Sequence, residues 1–207
     1  MPHLAGRMRR LSASELAKRV AYGILTVMSA LLVLSASGRD RVGIVDDLSA
    51  ALLDLHANIE ESRMALLGGE FAMILLVSCA DEQTDALVDA LPEIAERCGL
   101  DISVRPTHAP EVSGRGRPYR VECVSLDTPG IVHAVTALLR RRNVNIDDLE
   151  TDTTGAPFTG APMFRMRIVC EVPEDQNASQ LRRDLDEIAL AHDLDISFRP
   201  LGTVGEE

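Results

Sequence analysis

Apolar positions recur along the chain with two different periods. The run Ala30 to Ala36 is almost continuously apolar, and Tyr119 to Ser125 alternates apolar with polar, as strands do when one face is buried. Each run leads to an aspartate and then to a stretch whose apolar residues share one helical stripe: Ile44, Val45, Leu48, Leu52 and Leu55, or Ile131, Val132, Val135, Leu138 and Leu139. A more polar strand is predicted from Asn58 and again from Asn145. It turns at Gly68-Gly69 in the first case and in the loop Thr153 to Pro162 in the second, then returns as a strongly apolar strand, Phe71 to Val77 or Phe164 to Cys170. A second helix carries Leu87, Leu91, Ile94, Ala95 and Cys98, or Leu181, Leu185, Ile188 and Ala189, and a short strand closes each series.

These two series are copies of one pattern. Asp40 to Val45 (DRVGIV) matches Asp127 to Val132 (DTPGIV), and Asn58-Ile59 matches Asn145-Ile146, at a single offset of 87 residues. Phe71 and Met73 match Phe164 and Met166 at an offset of 93, which assigns a six-residue insertion to the loop Thr153 to Pro162. Leu100 to Pro106 (LDISVRP) matches Leu194 to Pro200 (LDISFRP) at an offset of 94. Three ordered blocks imply an internal duplication.

The order βαββαβ predicts an α+β fold: two ferredoxin-like domains, each a four-stranded antiparallel sheet with two helices on one face. The boundaries read as an N-terminal extension, 1–28, mobile or helical; a first domain, 29–106; a linker, 107–117; a second domain, 118–201; and a tail, 202–207. The polar strand is expected at a sheet edge. Domains this small bury limited cores, so the copies are expected to pack together or to extend their sheets by homodimerisation.

Charge narrows the possible partners. Of the formal −11, residues 1–20 contribute five basic residues and one acid, which leaves 16 basic against 31 acidic in the remainder. A body of that sign repels phosphate backbones and anionic lipids, and with 3% aromatics and no Trp it has little for base stacking. Neither direct nucleic-acid contact nor membrane contact is expected. The basic residues before the apolar stretch Val20 to Leu34 imitate a secretory leader. Cleavage after Ala36 would remove a strand that the second copy retains, so a cytoplasmic protein is expected, with export or anchoring as the alternative.

No catalytic constellation stands out. The histidines, His3, His56, His108, His133 and His192, are dispersed; the only lysine is Lys18; and no Walker loop or GxSxG elbow is present. The acid pairs Asp46-Asp47, Asp147-Asp148 and Glu60-Glu61 read as surface charge. Cys79, Cys98, Cys123 and Cys170 lack metal-ligand spacing and read as reduced core residues. The expectation is a non-enzyme with no metal and no cofactor.

A first strand running into D-x-x-G at the head of a helix, with a later Asn-Ile pair, resembles the ACT-domain family, whose members are ferredoxin-like sensors of amino acids. The likeness covers about 30–105 and 118–200. The tandem arrangement, with Asn58 to Ser78 in the first copy, is similar to the glycine cleavage system transcriptional repressor group. That resemblance implies a regulator responsive to an amino acid such as glycine and acting through a protein partner such as a DNA-binding activator. A ligand-independent dimerisation or interaction module of the same fold is the alternative. Val42 departs from the proline that many members carry there.

An amino acid needs N–H groups for its carboxylate and side-chain oxygens for its ammonium. The candidate ligand residues are Asp40, Arg41, Val42, Gly43, Asn58 and Ile59, with Asp127, Thr128, Pro129, Gly130, Asn145 and Ile146. Asp40 and Asp127 can instead cap the helix, the glycines can serve only as tight turns, and the asparagines only as turn residues.

Overall fold

The computed structural model describes residues 29–108, 116–156 and 160–202. Two compact units divide the chain, residues 1–110 and 111–207. The expected N-terminal extension, the middle of the linker and most of the tail lie outside the described residues.

In the first unit the chain runs β1 (Ser29–Arg39), α1 (Ile44–Asp54), β2 (Asn58–Leu67), β3 (Glu70–Ala80), a 3-10 turn (Asp81–Gln83), α2 (Thr84–Cys98) and β4 (Asp101–Thr107). The second runs β5 (Arg117–Leu126), α3 (Ile131–Arg141), β6 (Asn145–Gly155), β7 (Pro162–Val172), α4 (Ala178–His192) and β8 (Asp195–Pro200). Both sheets are antiparallel, ordered β2-β3-β1-β4 and β6-β7-β5-β8. The expected duplication of the βαββαβ unit is therefore present. β4 runs on through Thr107 and β5 starts at Arg117, so each strand takes one residue from the stretch expected as linker. Likewise β6 continues through Gly155, into the loop expected to start at Thr153.

Each core follows from strand alternation. In the first unit Leu32, Leu34 and Ala36 on β1 and Phe71, Met73, Leu75 and Val77 on β3 point to one face, where Leu48 and Leu52 of α1 and Leu87, Leu91 and Ile94 of α2 cover them. The second unit repeats the scheme with Val121, Cys123, Met166, Ile168, Val135, Leu139, Leu181 and Leu185. Both helices therefore lie on the same side of their sheet, and the other side is open to different chemistry in the two units. Outward positions of the first sheet include Val33, Ile74 and Leu76. Those of the second carry Glu122, Glu150 and Arg167, with Arg167 3.5 Å from Glu122 and 3.4 Å from Glu150.

Close approach explains one glycine. A Cβ at Gly38 would lie 2.7 Å from the Gly99 carbonyl oxygen, so no larger residue fits where β1 passes the end of α2. Among the described residues no helix is long and apolar enough to cross a membrane. Ser29 to Leu34, the end of the leader-like stretch, forms half of the central strand β1 and pairs with both β3 and β4.

Candidate functional site

The two D-x-x-G segments form the β1–α1 and β5–α3 turns. Gly43 (φ 91°) and Gly130 (φ 101°) occupy the N-cap positions in left-handed backbone, which a side chain resists. Their carbonyls accept the first helical bonds, from Asp47 N–H and Ala134 N–H, both at 2.9 Å. The expectation that Asp40 and Asp127 cap these helices is corrected here: neither helix has a side-chain cap. The reason is geometric, because the capping position falls on the glycine three residues later. Instead the aspartates are held through their backbones, with Asp40 N–H donating to Gly69 O at 3.1 Å and Asp127 N–H to Pro162 O at 3.0 Å. Each turn is thus moored to the turn end of its neighbouring hairpin.

Residue chemistry makes the two turns unequal. Arg41 straps the first one: its Nη2 donates to Asp47 Oδ2 at 2.6 Å and to Cys98 O at 3.1 Å, and its Nη1 to Val42 O at 3.2 Å. The guanidinium covers Gly43, standing 3.8 Å from where a Cβ would be. Thr128 takes the place of Arg41 in the second turn, and the space around Gly130 holds no atom within 4 Å of that point among the described residues. Val42 projects fully into solvent, and Thr128 and Pro129 are exposed as well.

Asn58 and Asn145 open β2 and β6, where both copies carry a register shift, between Ile59 and Glu61 and between Ile146 and Asp148. The extra residue of each bulge is an acid, and the asparagine amide donates to it: Asn58 to Glu60 Oε1 at 2.9 Å, Asn145 to Asp147 Oδ1 at 2.8 Å. Ser78 Oγ also donates to Glu60. These two bonds, from Ser78 and then Asn58, hold the Glu60 carboxyl below its ordinary pKa. Ile59 and Ile146 are half-buried and pack against their cores.

Within one unit the candidate residues do not meet. Arg39, next to Asp40, pairs with Glu70 at one end of β3, whereas Asn58 pairs with Ser78 near the other. Eight residues of strand separate those positions, roughly 27 Å at about 3.4 Å per residue. The second unit has the same arrangement, with Leu126 pairing with Met163 and Asn145 with Glu171.

Sequence patterns did not single out an open groove lined by Thr136, Arg140, Asn143, Val144, Asn145 and Ile146. It forms because Asn143, in left-handed backbone, turns the chain sharply from α3 into β6. Among the described residues no cluster of His, Cys, Asp or Glu is arranged to hold a metal.

The ACT-domain family matches residues 30–105 and again residues 119–189. The chain is a tandem ACT-domain protein. Among curated relatives of this ACT protein, the glycine cleavage system transcriptional repressor of Escherichia coli is 28% identical over 152 residues, 73% of this chain and 80% of the relative. A crystal structure of an unknown protein from Galdieria sulphuraria is 39% identical with a TM-score of 0.71, covering 84% of this chain and 99% of the other. A solved structure described as a candidate glycine cleavage system transcriptional repressor superposes with a TM-score of 0.63 at 23% identity, covering 85% and 99%; it bears on fold alone.

Proposed function

We propose that this tandem ACT protein is a cytoplasmic, non-catalytic regulator that responds to an amino acid such as glycine. It acts through a protein partner such as a DNA-binding activator, without touching nucleic acid itself. The observation that carries this reading is the similarity to the E. coli glycine cleavage system transcriptional repressor across both copies. The acidic body, −15 outside the first 20 residues, supports a protein partner over a nucleic acid.

The ligand positions proposed are the D-x-x-G turns and the Asn-Ile starts of β2 and β6. Because these stand at opposite ends of one sheet, a complete site takes its turn from one copy of the chain and its asparagine from a second copy, which is why the regulator is proposed as a homodimer. Regulation then requires the ligand to bind one state of the assembly more tightly than the other.

Calorimetric titration of the full chain with glycine and other amino acids tests the reading. Saturable binding is expected, with loss when Asp40, Asn58, Asp127 and Asn145 are all replaced by Ala. No heat with any amino acid would remove the sensor claim. One observation favours the interaction-module reading for the first unit: the Arg41 guanidinium stands over the turn that a ligand would approach, bonded to Asp47 and to the Cys98 carbonyl.

A further inference from the structure

We propose that the outward face of α3, in the second unit, is a docking surface for an acidic segment of the partner protein. The inference rests on the partner-mediated regulation proposed above and names the surface and the chemistry that meets it.

The duplication supplies an internal comparison. At the offset of 87 residues α1 and α3 are the same helix, 11 residues long, begun by a left-handed glycine and closed by the same backbone conformation at Leu55 and Arg142. α1 carries Asp46, Asp47 and Asp54 and no base. The matching positions of α3 hold His133, Ala134 and Arg141, while Leu53 and Leu55 become Arg140 and Arg142, and no acid is left on the helix. The sign of the helix has been inverted while its fold was kept.

Neither helix electrostatics nor packing requires the exchange. Bases at a helix C-terminus are favoured by the macrodipole, yet α1 closes in the same conformation with none in its last turn. Arg142 is used inside the unit, where its Nε donates to Asp184 Oδ2 at 2.6 Å and joins α3 to α4. Arg140 and Arg141 are exposed, and among the described residues neither guanidinium has a hydrogen-bond or ion-pair partner. With His133, Thr136 and Ala137 they form one strip of the helix surface, at spacings of three and four residues.

The width of that strip selects its occupant. A groove beside Arg141 is lined also by Glu187 of α4, and the groove beside Arg140 by Asn145, whose amide holds Asp147. Carboxylates thus flank the strip on both sides, leaving a positive surface about 10 Å wide, the breadth of one helix. The body around it carries −15 outside the first 20 residues. A nucleic-acid duplex needs many bases to neutralise its phosphates and is repelled by such flanks. A single acidic chain laid along α3 meets both free guanidiniums and stays clear of the acids.

Fluorescence anisotropy tests the proposal, with a labelled peptide of glutamate and leucine, about as long as α3, titrated with the full chain. The unaltered chain is expected to bind it despite its own net charge of −11, and less tightly as salt rises. Arg140→Glu with Arg141→Glu should weaken binding about tenfold or more, whereas the same charge change in the first unit, Arg97→Glu with Arg105→Glu, should alter it less than about twofold. Should the reversal misfold, Arg140→Gln with Arg141→Gln should still weaken binding about threefold or more. Peptide binding that ignores both arginine pairs, or no peptide binding at all, would overturn the surface; saturation with an amino acid in calorimetry would then leave the sensor reading standing. A labelled DNA duplex bound more tightly than the peptide through Arg140 and Arg141 would overturn the acidic-segment occupant. Peptide binding through the two arginines, with no heat from any amino acid, would uphold the surface and remove the sensor.

Discussion

The backbone N–H of Asp40 donates to the carbonyl of Gly69 at 3.1 Å, which ties the first D-x-x-G turn to the tip of the β2–β3 hairpin. Asp127 and Pro162 repeat the contact at 3.0 Å, although their hairpin carries the six-residue insertion. Duplication has preserved the mooring while the hairpin changed length, so the turn's position belongs to the fold and does not depend on the loop.

Since both moored turns end in left-handed glycine, Gly43→Ala and Gly130→Ala should each cost about 1–2 kcal/mol, measured by urea unfolding. Space is not the cause at either position, for among the described residues the nearest atom to a Cβ at Gly43 is 3.8 Å away and none lies within 4 Å at Gly130. Gly38→Ala should lose stability for the opposite reason, a Cβ 2.7 Å from the Gly99 oxygen in otherwise extended strand.

The Arg41 strap predicts unequal turns in solution. Replacing Arg41 by Thr, its counterpart in the second unit, removes the bonds to Asp47 and to the Cys98 carbonyl. Amide hydrogen exchange at Val42 and Gly43 should then rise toward that at Pro129's neighbour Gly130, with a stability loss of about 1 kcal/mol. Equal exchange in the two turns of the unaltered chain would contradict the strap.

The four thiols should be silent in the native protein. All are buried, and burial pushes the Cys123 and Cys170 thiols up to about 12, with the nearby Asp147 charge adding to the effect at Cys170. Thiolate, the reactive form, is therefore scarce near neutral pH. A colorimetric thiol assay should find no fast-reacting cysteine before denaturant and four after it.

Acid should weaken the fold through two carboxylates whose pKa values are depressed. Glu60 is lowered by hydrogen bonds from Ser78 and Asn58; Asp184 is lowered first by the hydrogen bond from Gln180 and then by Arg142, against some desolvation. A depressed folded-state pKa gives stability that is full above the unfolded value, near 4, and is lost as pH falls through the folded value. Glu60→Gln and Asp184→Asn should each flatten the decline in melting temperature below about pH 4. Neither should alter its shape between pH 6 and 8, a range far above both groups' ordinary values.

Local pattern determined most of the architecture. The apolar stripes at Ile44, Leu48 and Leu52 and at Ile131, Val135 and Leu139 mark helices by their own period, and matched blocks such as LDISVRP and LDISFRP disclose the duplication without reference to contacts. Each unit is small and built from neighbouring elements, so short-range order nearly dictates its core. Tertiary structure decided how those elements stand to one another. That Asp40 and Asn58 lie at opposite ends of a strand follows from hydrogen-bond register, a relation between distant segments that periodicity does not encode. The caps divide in the same way: Asp40 is a cap by residue type, but the left-handed backbone at Gly43 moves the cap position, whereas Asn177, which caps α4 through Ser179 and Gln180 N–H, stands three residues before Gln180, a spacing that local sequence does carry. Arg41 and Thr128 look like interchangeable loop residues in one dimension. Only in three does the guanidinium reach the end of a helix 57 residues away, because a long side chain finds its partner through folded space and not along the chain.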